Sequence, residues 1–316
     1  NQQKIPKKII QTNKERNTEE KQLFDSILTF IELNPDYEYV FFDNKECRIF
    51  IKDNFEDRIL YYYDKLIPGA FQADLFRYCY LYINGGCYFD CKNILKRPLF
   101  EIINENDNLI LCQDIDEDCF YNSIIMTEPK NSIFMKAINI ITNNIDNFDT
   151  LYDLFKTKVT KKKPFYGTLN ITGPNLLYIS TKGLIDYNKN VKLNHLIDGD
   201  YKDYKNLKIN YNGKLFALKS YCSWKESENH YNKLWNKKEI IYYQTIDYND
   251  LKILIYPNHD VEFKIDNENH NIIIQKKLKN IINRTIKFKI IKMDNIFYKK
   301  FNINRSFINF YELGVE

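Results

Sequence analysis

Between Pro68 and Asp90 the sequence reads PGAFQADLFRYCYLYINGGCYFD, a helical pattern that runs into a glycine pair and then straight into a strand. Phe71, Leu75, Tyr78 and Tyr82 recur at i, i+4, i+7 and i+11, the spacing of one helical face. Pro68 suits the start of that helix, where its missing N–H costs nothing, and Gly85–Gly86 supplies the stop. CYFD is then a short apolar strand that ends on an acid.

The flanking sequence continues the alternation. KIPKKIIQTNK predicts an opening strand over Lys8–Gln11, and TEEKQLFDSILTFIELNP a helix carrying Leu23, Ile27, Phe30 and Ile31 that ends before Pro35. YEYVFFDN reads as a second strand, CRIFIKDNF as a helix or its approach, and NLILCQD as a further strand. YNSIIMTEPKNSIFMKAINIIT predicts a strand followed by a helix beginning near Pro129. Strands alternating with helices argue for an α/β sheet with a nucleotide-type site at the strand carboxyl ends. Beyond about residue 240 the runs EIIYYQTI, LKILIYP, DVEFKID, NIIIQKK and TIKFKIIKM are short, alternating or β-branched, and separated by Asn, Asp and Pro turns. The expected division is therefore 1–239 as an α/β domain and 240–316 as a β-rich module.

Composition narrows the classes of function. The chain has 316 residues, 44% hydrophobic and 28% charged, which excludes wholesale disorder. A net charge of +4 is too small to argue for nucleic acid. No apolar run approaches the ~20 residues of a membrane span. The seven cysteines contain no C-x-x-C pair and sit mostly in apolar stretches, favouring a reducing compartment such as the cytoplasm. Triplets at Asn170, Asn283 and Asn304, with a first residue that is not Met, leave a lumenal origin with a removed N-terminal anchor open. His195, His230, His259 and His270 lack zinc-ligand spacing.

Asp74 and Arg77, three apart on the tyrosine-rich helix, would by themselves be a surface ion pair. The order Asp-x-x-Arg-Tyr, Gly-Gly, apolar strand, Asp90 is more specific. It resembles the sugar-donor site of GT-A glycosyltransferases with a DXD motif, in particular glycosyltransferase family 32, and the glucosyltransferase domains of large clostridial toxins share the arrangement. The resemblance extends over roughly residues 4–240, through IPKKIIQT, NPDYEYVFFD, the 70–90 block, NSIIMTEPKNSIF and ITGP. It implies a GT-A, Rossmann-like domain that moves a hexose, with retention, from a UDP- or GDP-sugar to a hydroxyl of a glycan, protein or lipid. It also implies that Asp74 and Arg77 hydrogen-bond the sugar hydroxyls, that Tyr88 packs beside the donor, and that Asp90 meets ribose and sugar hydroxyls. Thr12 would lie near the base and ribose. Asn122 would face the sugar, or else bond the backbone as a strand-end asparagine.

Two departures stand out. The family's second acid, a ligand of the divalent cation (Mn or Mg), is here Lys92, leaving Asp90 as the one metal-binding acid of the motif. An ammonium repels a cation but can supply positive charge to phosphates itself. A cation at Asp90 and a site in which Lys92 replaces it both fit the motif. The family's late His-x-x-x-Ser-Trp matches KSYCSW, with Lys219 for the histidine before Ser223 and Trp224, or HYNKLW, with His230 and Trp235 but Leu234 for the serine. The literal D-x-D at Asp198–Asp200 lacks the preceding helix and reads as a turn, 114–118 reads as a solvated loop that could border the acceptor site, and 161–163 as a solvated run. A sugar-binding protein without catalysis is the alternative to a transferase.

Overall fold

The computed structural model describes residues 3–15, 21–158, 166–197, 207–219 and 230–241, and after these the segments 244–248, 251–255, 261–266, 271–276 and 288–292. The chain divides into two units, Asn1–Ile240 and Ile241–Glu316. In the first, the strands are β1 (Lys8–Thr12), β2 (Glu38–Phe42), β3 (Gly86–Phe89), β4 (Asn93–Leu95), β5 (Leu109–Gln113), β6 (Phe120–Thr127), β7 (Val191–Ile197), β8 (Leu207–Tyr211) and β9 (Lys214–Lys219). The helices are α1 (Lys21–Leu33), α2 (Asn44–Asn54), α3 (Asp57–Lys65), α4 (Gly69–Asn84), α5 (Ser132–Asp146), α6 (Phe148–Lys158), α7 (Tyr166–Ile171), α8 (Pro174–Thr181), α9 (Tyr187–Asn190) and α10 (Tyr231–Asn236).

The nine strands form one mixed sheet in the order β2-β1-β3-β6-β5-β7-β8-β9-β4. β1 is parallel to β2 and β3, so Thr12, Phe42 and Phe89 end at one carboxyl edge. β6 runs antiparallel to β3, with Phe89 opposite Ile124, which brings the first residues of β6 to that same edge. β4 follows β3 after a three-residue connection yet pairs with β9 at the far end of the order. The sheet must therefore curl, bringing the end of β9 back beside the end of β3.

Period-two alternation sorts the central strands into two cores. Ile9, Cys87, Phe89, Ile124 and Met126 join Phe30 of α1, Leu95 of β4, and Phe216 and Ala217 of β9 on one side. Ile10, Tyr88 and Ile125, buried on the alternate positions, meet the helical layer. There α4 is wedged between α2 and α5: Phe76 meets Phe50 edge-on, Tyr80 packs tilted against Phe50, and Tyr78 lies against Phe134. Burial explains a difference from the sequence reading. Instead of a single apolar stripe, α4 is buried around most of its girth, Asp74 and Arg77 included. Likewise α1 buries Leu23 and Phe30 but leaves Ile31 exposed. The α5 helix begins at Ser132, later than Pro129, because Lys130 takes a positive φ and Asn131 caps the helix by accepting from Ile133 N.

The expected strands near 8, 38, 86, 109 and 120 are present, as is α/β architecture as a whole. β7, β8 and β9 had no counterpart in the sequence reading. Ile240 O accepts from Ile67 N at 3.0 Å, which ties the end of the first unit to the α3–α4 connection. The second unit contains β10 (Gln244–Tyr248), β11 (Leu251–Ile255), β12 (Val261–Asp266), β13 (Asn271–Lys276) and β14 (Phe288–Lys292). These pair as a three-stranded sheet, β10-β11-β14, and a two-stranded one, β12-β13. Among the described residues no helix is long and apolar enough to cross a membrane.

Gly85 sets the angle between α4 and β3. It caps the helix at φ 62° and ψ −157°, and a Cβ there would stand 2.7 Å from both Thr127 O and Pro129 N. Gly85→Ala should therefore lower unfolding free energy by at least about 2 kcal/mol in urea titration. A change within experimental error would show that the turn can relax without this glycine.

Candidate active site

The helix α4 delivers Asp74 and Arg77 one turn apart, beneath the carboxyl edge of β3. Neither is at the surface: they are 7% and 4% exposed. Asp74 Oδ1 accepts from Asn122 Nδ2 at 2.9 Å, and Oδ2 accepts from Thr172 Oγ1 at 2.7 Å. Arg77 Nη2 stands 3.3 Å from Asp74 Oδ1 and 3.2 Å from Asp90 Oδ1, so one guanidinium bridges two carboxylates. Its Nη1 donates to Asn122 O at 2.5 Å, and its Cζ lies 4.4 Å from the centre of the Tyr88 ring. Tyr88 Oη donates to Asp90 Oδ1 at 3.0 Å.

Asp90 is also fixed through its backbone. Its N–H donates to Ser123 O at 2.9 Å, and its carbonyl accepts from Asn93 N at 3.0 Å and Asn93 Nδ2 at 3.2 Å. Gln11 Nε2, 3.4 Å away, reaches the same carbonyl, while Tyr39 Oη holds Gln11 Oε1 at 2.7 Å. The Asp90 side chain is 36% exposed against 10% for Asp74. Thus Asp90 faces outward, with one oxygen held from behind, whereas Asp74 is spent on the protein.

The curl of the sheet supplies a second wall. Lys219, the last residue of β9, pairs with Asn93, and its Nζ lies 5.6 Å from the centre of the Tyr121 ring. Tyr121 stacks on His195 at 4.1 Å, and His195 Nδ1 is 2.9 Å from Asp114 Oδ1. Asp114 of the 114–118 stretch is thereby a partner of the wall. Lys92 is half-buried in the turn that the Asn93 N–H closes onto Asp90 O. Thr12 joins the edge: its carbonyl accepts from Cys91 Sγ at 3.3 Å, and its hydroxyl lies 3.3 Å from Cys47 Sγ.

Other expected site residues are placed differently. Trp235 is buried against Tyr152 at 4.9 Å and Phe148 at 6.0 Å, and a Cβ on Gly167 would come within 2.5 Å of its ring. Those contacts are helix packing. His230 caps α10, its Nδ1 accepting from Asn232 N, and stacks on Tyr231. Tyr231 in turn stacks on Phe71 of α4. Ser223, Trp224, Asp198–Asp200 and 161–163 lie outside the described residues.

Burial controls the charges. It pushes the Asp74 carboxyl up to about 6, against the opposing pull of Arg77 and of the Thr172 and Asn122 hydrogen bonds. For Arg77 burial works towards neutrality, but Tyr88, Asp90 and Asp74 outweigh it and hold the guanidinium charged. Tyr121 foremost, then Asp90 and Tyr231, raise Lys219 against its own desolvation.

A divalent cation, which the DXD pattern implies, does not fit this donor set. Asp90 already carries the Arg77 ion pair, and Lys92 and Lys219 flank it on the turn and on the paired strand. Among the described residues no three His, Cys, Asp or Glu side chains converge on one point.

Sequence reasoning missed Gln11, Asn93, Tyr121 and Thr172. Thr172 was within sight, as the second residue of ITGP; the others are polar residues in apolar strands, a signal that gives no partner by itself.

Residues 20–110 match the family described as "Glycosyltransferase sugar-binding region containing DXD motif". The chain is 26% identical over 205 residues to "Uncharacterized glycosyltransferase L373" of Acanthamoeba polyphaga mimivirus, covering 61% of this chain and 73% of that protein. It is 38% identical over 73 residues to "Inositol phosphoceramide mannosyltransferase 2" of Schizosaccharomyces pombe, covering 23% and 21%. Among solved structures, "PaToxG Glycosyltransferase" aligns with a TM-score of 0.42 and 17% identity over 57% of this chain and 68% of that one.

The two acids should respond differently to removal. Asp74→Ala strands Asn122, Thr172 and one side of a buried Arg77, so we expect a loss of about 3 kcal/mol in unfolding free energy. Asp90→Ala also takes a partner from Arg77 and Tyr88, but on the side that water reaches, and should cost less, about 1–2 kcal/mol. Equal losses in thermal or urea unfolding would contradict the assignment of Asp74 to the interior and Asp90 to the opening.

Proposed function

The chain is related to the DXD-containing glycosyltransferases, and we propose that it transfers a hexose from a UDP- or GDP-sugar to a hydroxyl acceptor. The observation that carries this reading is the outward Asp90 carboxylate, held by Arg77 and Tyr88 at the carboxyl edge of parallel strands. Ligands of open α/β sheets sit at that edge. Asp90 would accept hydrogen bonds from ribose and sugar hydroxyls, with Asn122 and Arg77 completing the sugar side. Thr12, at the end of β1, would lie by the nucleoside.

Family likeness supports retention. The acceptor oxygen bonds to the anomeric carbon on the face from which the diphosphate leaves. The bond from that carbon to the phosphate oxygen breaks with its electron pair, and the acceptor proton passes to a departing phosphate oxygen. The protein orients the sugar and stabilises the charge on the leaving group.

Release of nucleoside diphosphate from UDP-glucose, UDP-galactose and GDP-mannose in water tests the reading. Asp90→Asn should lower release by about 100-fold or more, since charged hydrogen bonds that tighten in the transition state are lost. Wild-type turnover in Asp90→Asn would remove Asp90 from the site. Donor binding without release would instead favour a sugar-binding protein, the reading that Lys92 in the second acid's place suggests.

The pH dependence follows from Asp74. Its carboxylate must be ionised to keep Arg77 and Asn122 in place, and its folded value of about 6 lies above the ordinary 3.8. Release should therefore fall as pH drops through about 6. The stability contribution of a raised carboxyl runs the other way: it is fully present below the ordinary value and is lost as pH rises through the folded one. An acid limb near pH 6 in kcat/KM, with the protein still folded, is the expected result.

A further inference from the structure

We infer that Lys219 is the fixed cation that receives the donor's diphosphate, standing where a divalent ion would otherwise be required. This rests on the reading of the site as a nucleotide-sugar centre, and it gives a role to a residue that motif spacing offered only as one of two alternatives and that strand pairing brings to Asp90.

The first support is topological. β9 pairs with β4, the strand that begins just after Asp90, and Lys219 lies opposite Asn93. Asn93 in turn bonds the Asp90 carbonyl and, at 2.7 Å, Ser123 Oγ. The position of Lys219 beside Asp90 is thus set by strand pairing and not by a flexible loop.

The second is that the lysine is held. Its Nζ lies over the ring of Tyr121, which is 7% exposed and is backed by the His195–Asp114 pair. An ammonium above an aromatic face beside a carboxylate stays charged and keeps little freedom to lose when an anion arrives.

The third is charge balance. Asp74 and Asp90 contribute two negative charges, and Arg77 lies between them. Lys219 brings these four groups to neutrality without a metal, and Lys92 on the adjoining turn adds a further positive charge. A dication would have to share one carboxylate with a guanidinium. A diphosphate, by contrast, needs positive charge near Asp90, and the β9–β4 pairing brings Lys219 there.

The experiment is calorimetric titration of the wild type, Lys219→Met and Lys219→Arg with UDP and GDP, and in parallel with uridine and guanosine, all in EDTA. Lys219→Gln serves in place of the Met variant if thermal melts show the latter misfolded. The expected result is diphosphate binding by the wild type without metal, weakened about tenfold or more in Lys219→Met and partly recovered in Lys219→Arg. Nucleoside affinity should be unchanged in all three. Wild-type diphosphate affinity in Lys219→Met, or wild-type binding that appears only when manganese is added, would overturn the inference and leave the site reading standing. Failure of the wild type to bind either diphosphate, in EDTA or in manganese, would bring down the site reading and the inference together.

Discussion

A guanidinium as deeply buried as that of Arg77 must be met by charge on more than one side, because stripping water from an ion costs several kcal/mol. That requirement organises the centre of the first unit. Asp74 comes from the same helix, Asp90 from the end of β3, the Asn122 carbonyl from the start of β6, and the Tyr88 ring from β3 itself. Each partner belongs to an element whose position is fixed by other means. Satisfying Arg77 thereby locks a helix and two strands into one register. A lysine at 77 would keep the charge but not the planar fork that reaches Asp74, Asp90 and Asn122 together.

The fork functions only if the helix arrives at the right depth. Gly85 and Gly86, at φ 62° and 101°, turn the chain from α4 into β3 with no linker, and an added Cβ at Gly86 would stand 2.9 Å from Lys8 O. The helix is thus pulled against the two strands whose carboxyl ends carry Thr12 and Asp90. Backbone permissiveness at two residues and charge compensation at a third solve one problem, the placement of an acid at the mouth of the sheet.

What the sequence revealed, and what it hid, follows from the range of each interaction. Asp74, Arg77 and Asp90 are legible because helix period, glycine stop and strand length fix their relation within one short segment. Even there the sequence misjudged depth: an i,i+3 pair on a helix looks like surface until the helix is known to be covered on both flanks by α2 and α5. Thr172 and Asn122 reach Asp74 from 98 and 48 positions away, so only the fold brings them together. The late-chain alternatives separate in the same way. Lys219 comes to Asp90 through the β9–β4 pairing, a register that no local pattern specifies. Trp235, an equal candidate by spacing, is taken up by Tyr152, Phe148 and the gap that Gly167 leaves. Ser223 and Trp224 lie outside the described residues, so the geometry bears on only part of that motif.

Two aspartates of identical chemistry thus do different work because water reaches one and not the other. Asp74, with both oxygens occupied and its carboxyl raised to about 6, is an internal strut whose charge is tolerated only because Arg77 is there. Asp90 keeps contact with solvent, and its backbone is pinned by Gln11, Asn93 and Ser123, so its carboxylate can exchange water for a ligand without the main chain moving. Such preorganisation removes the ordering cost from the binding step. It also restricts what the opening can accept. With Arg77 satisfying Asp90 from within and Lys219 beside it on the curled edge, the surface at the end of β3 offers a hydroxyl acceptor next to a cation. That pairing suits a ligand with a polyhydroxyl part joined to an anionic one.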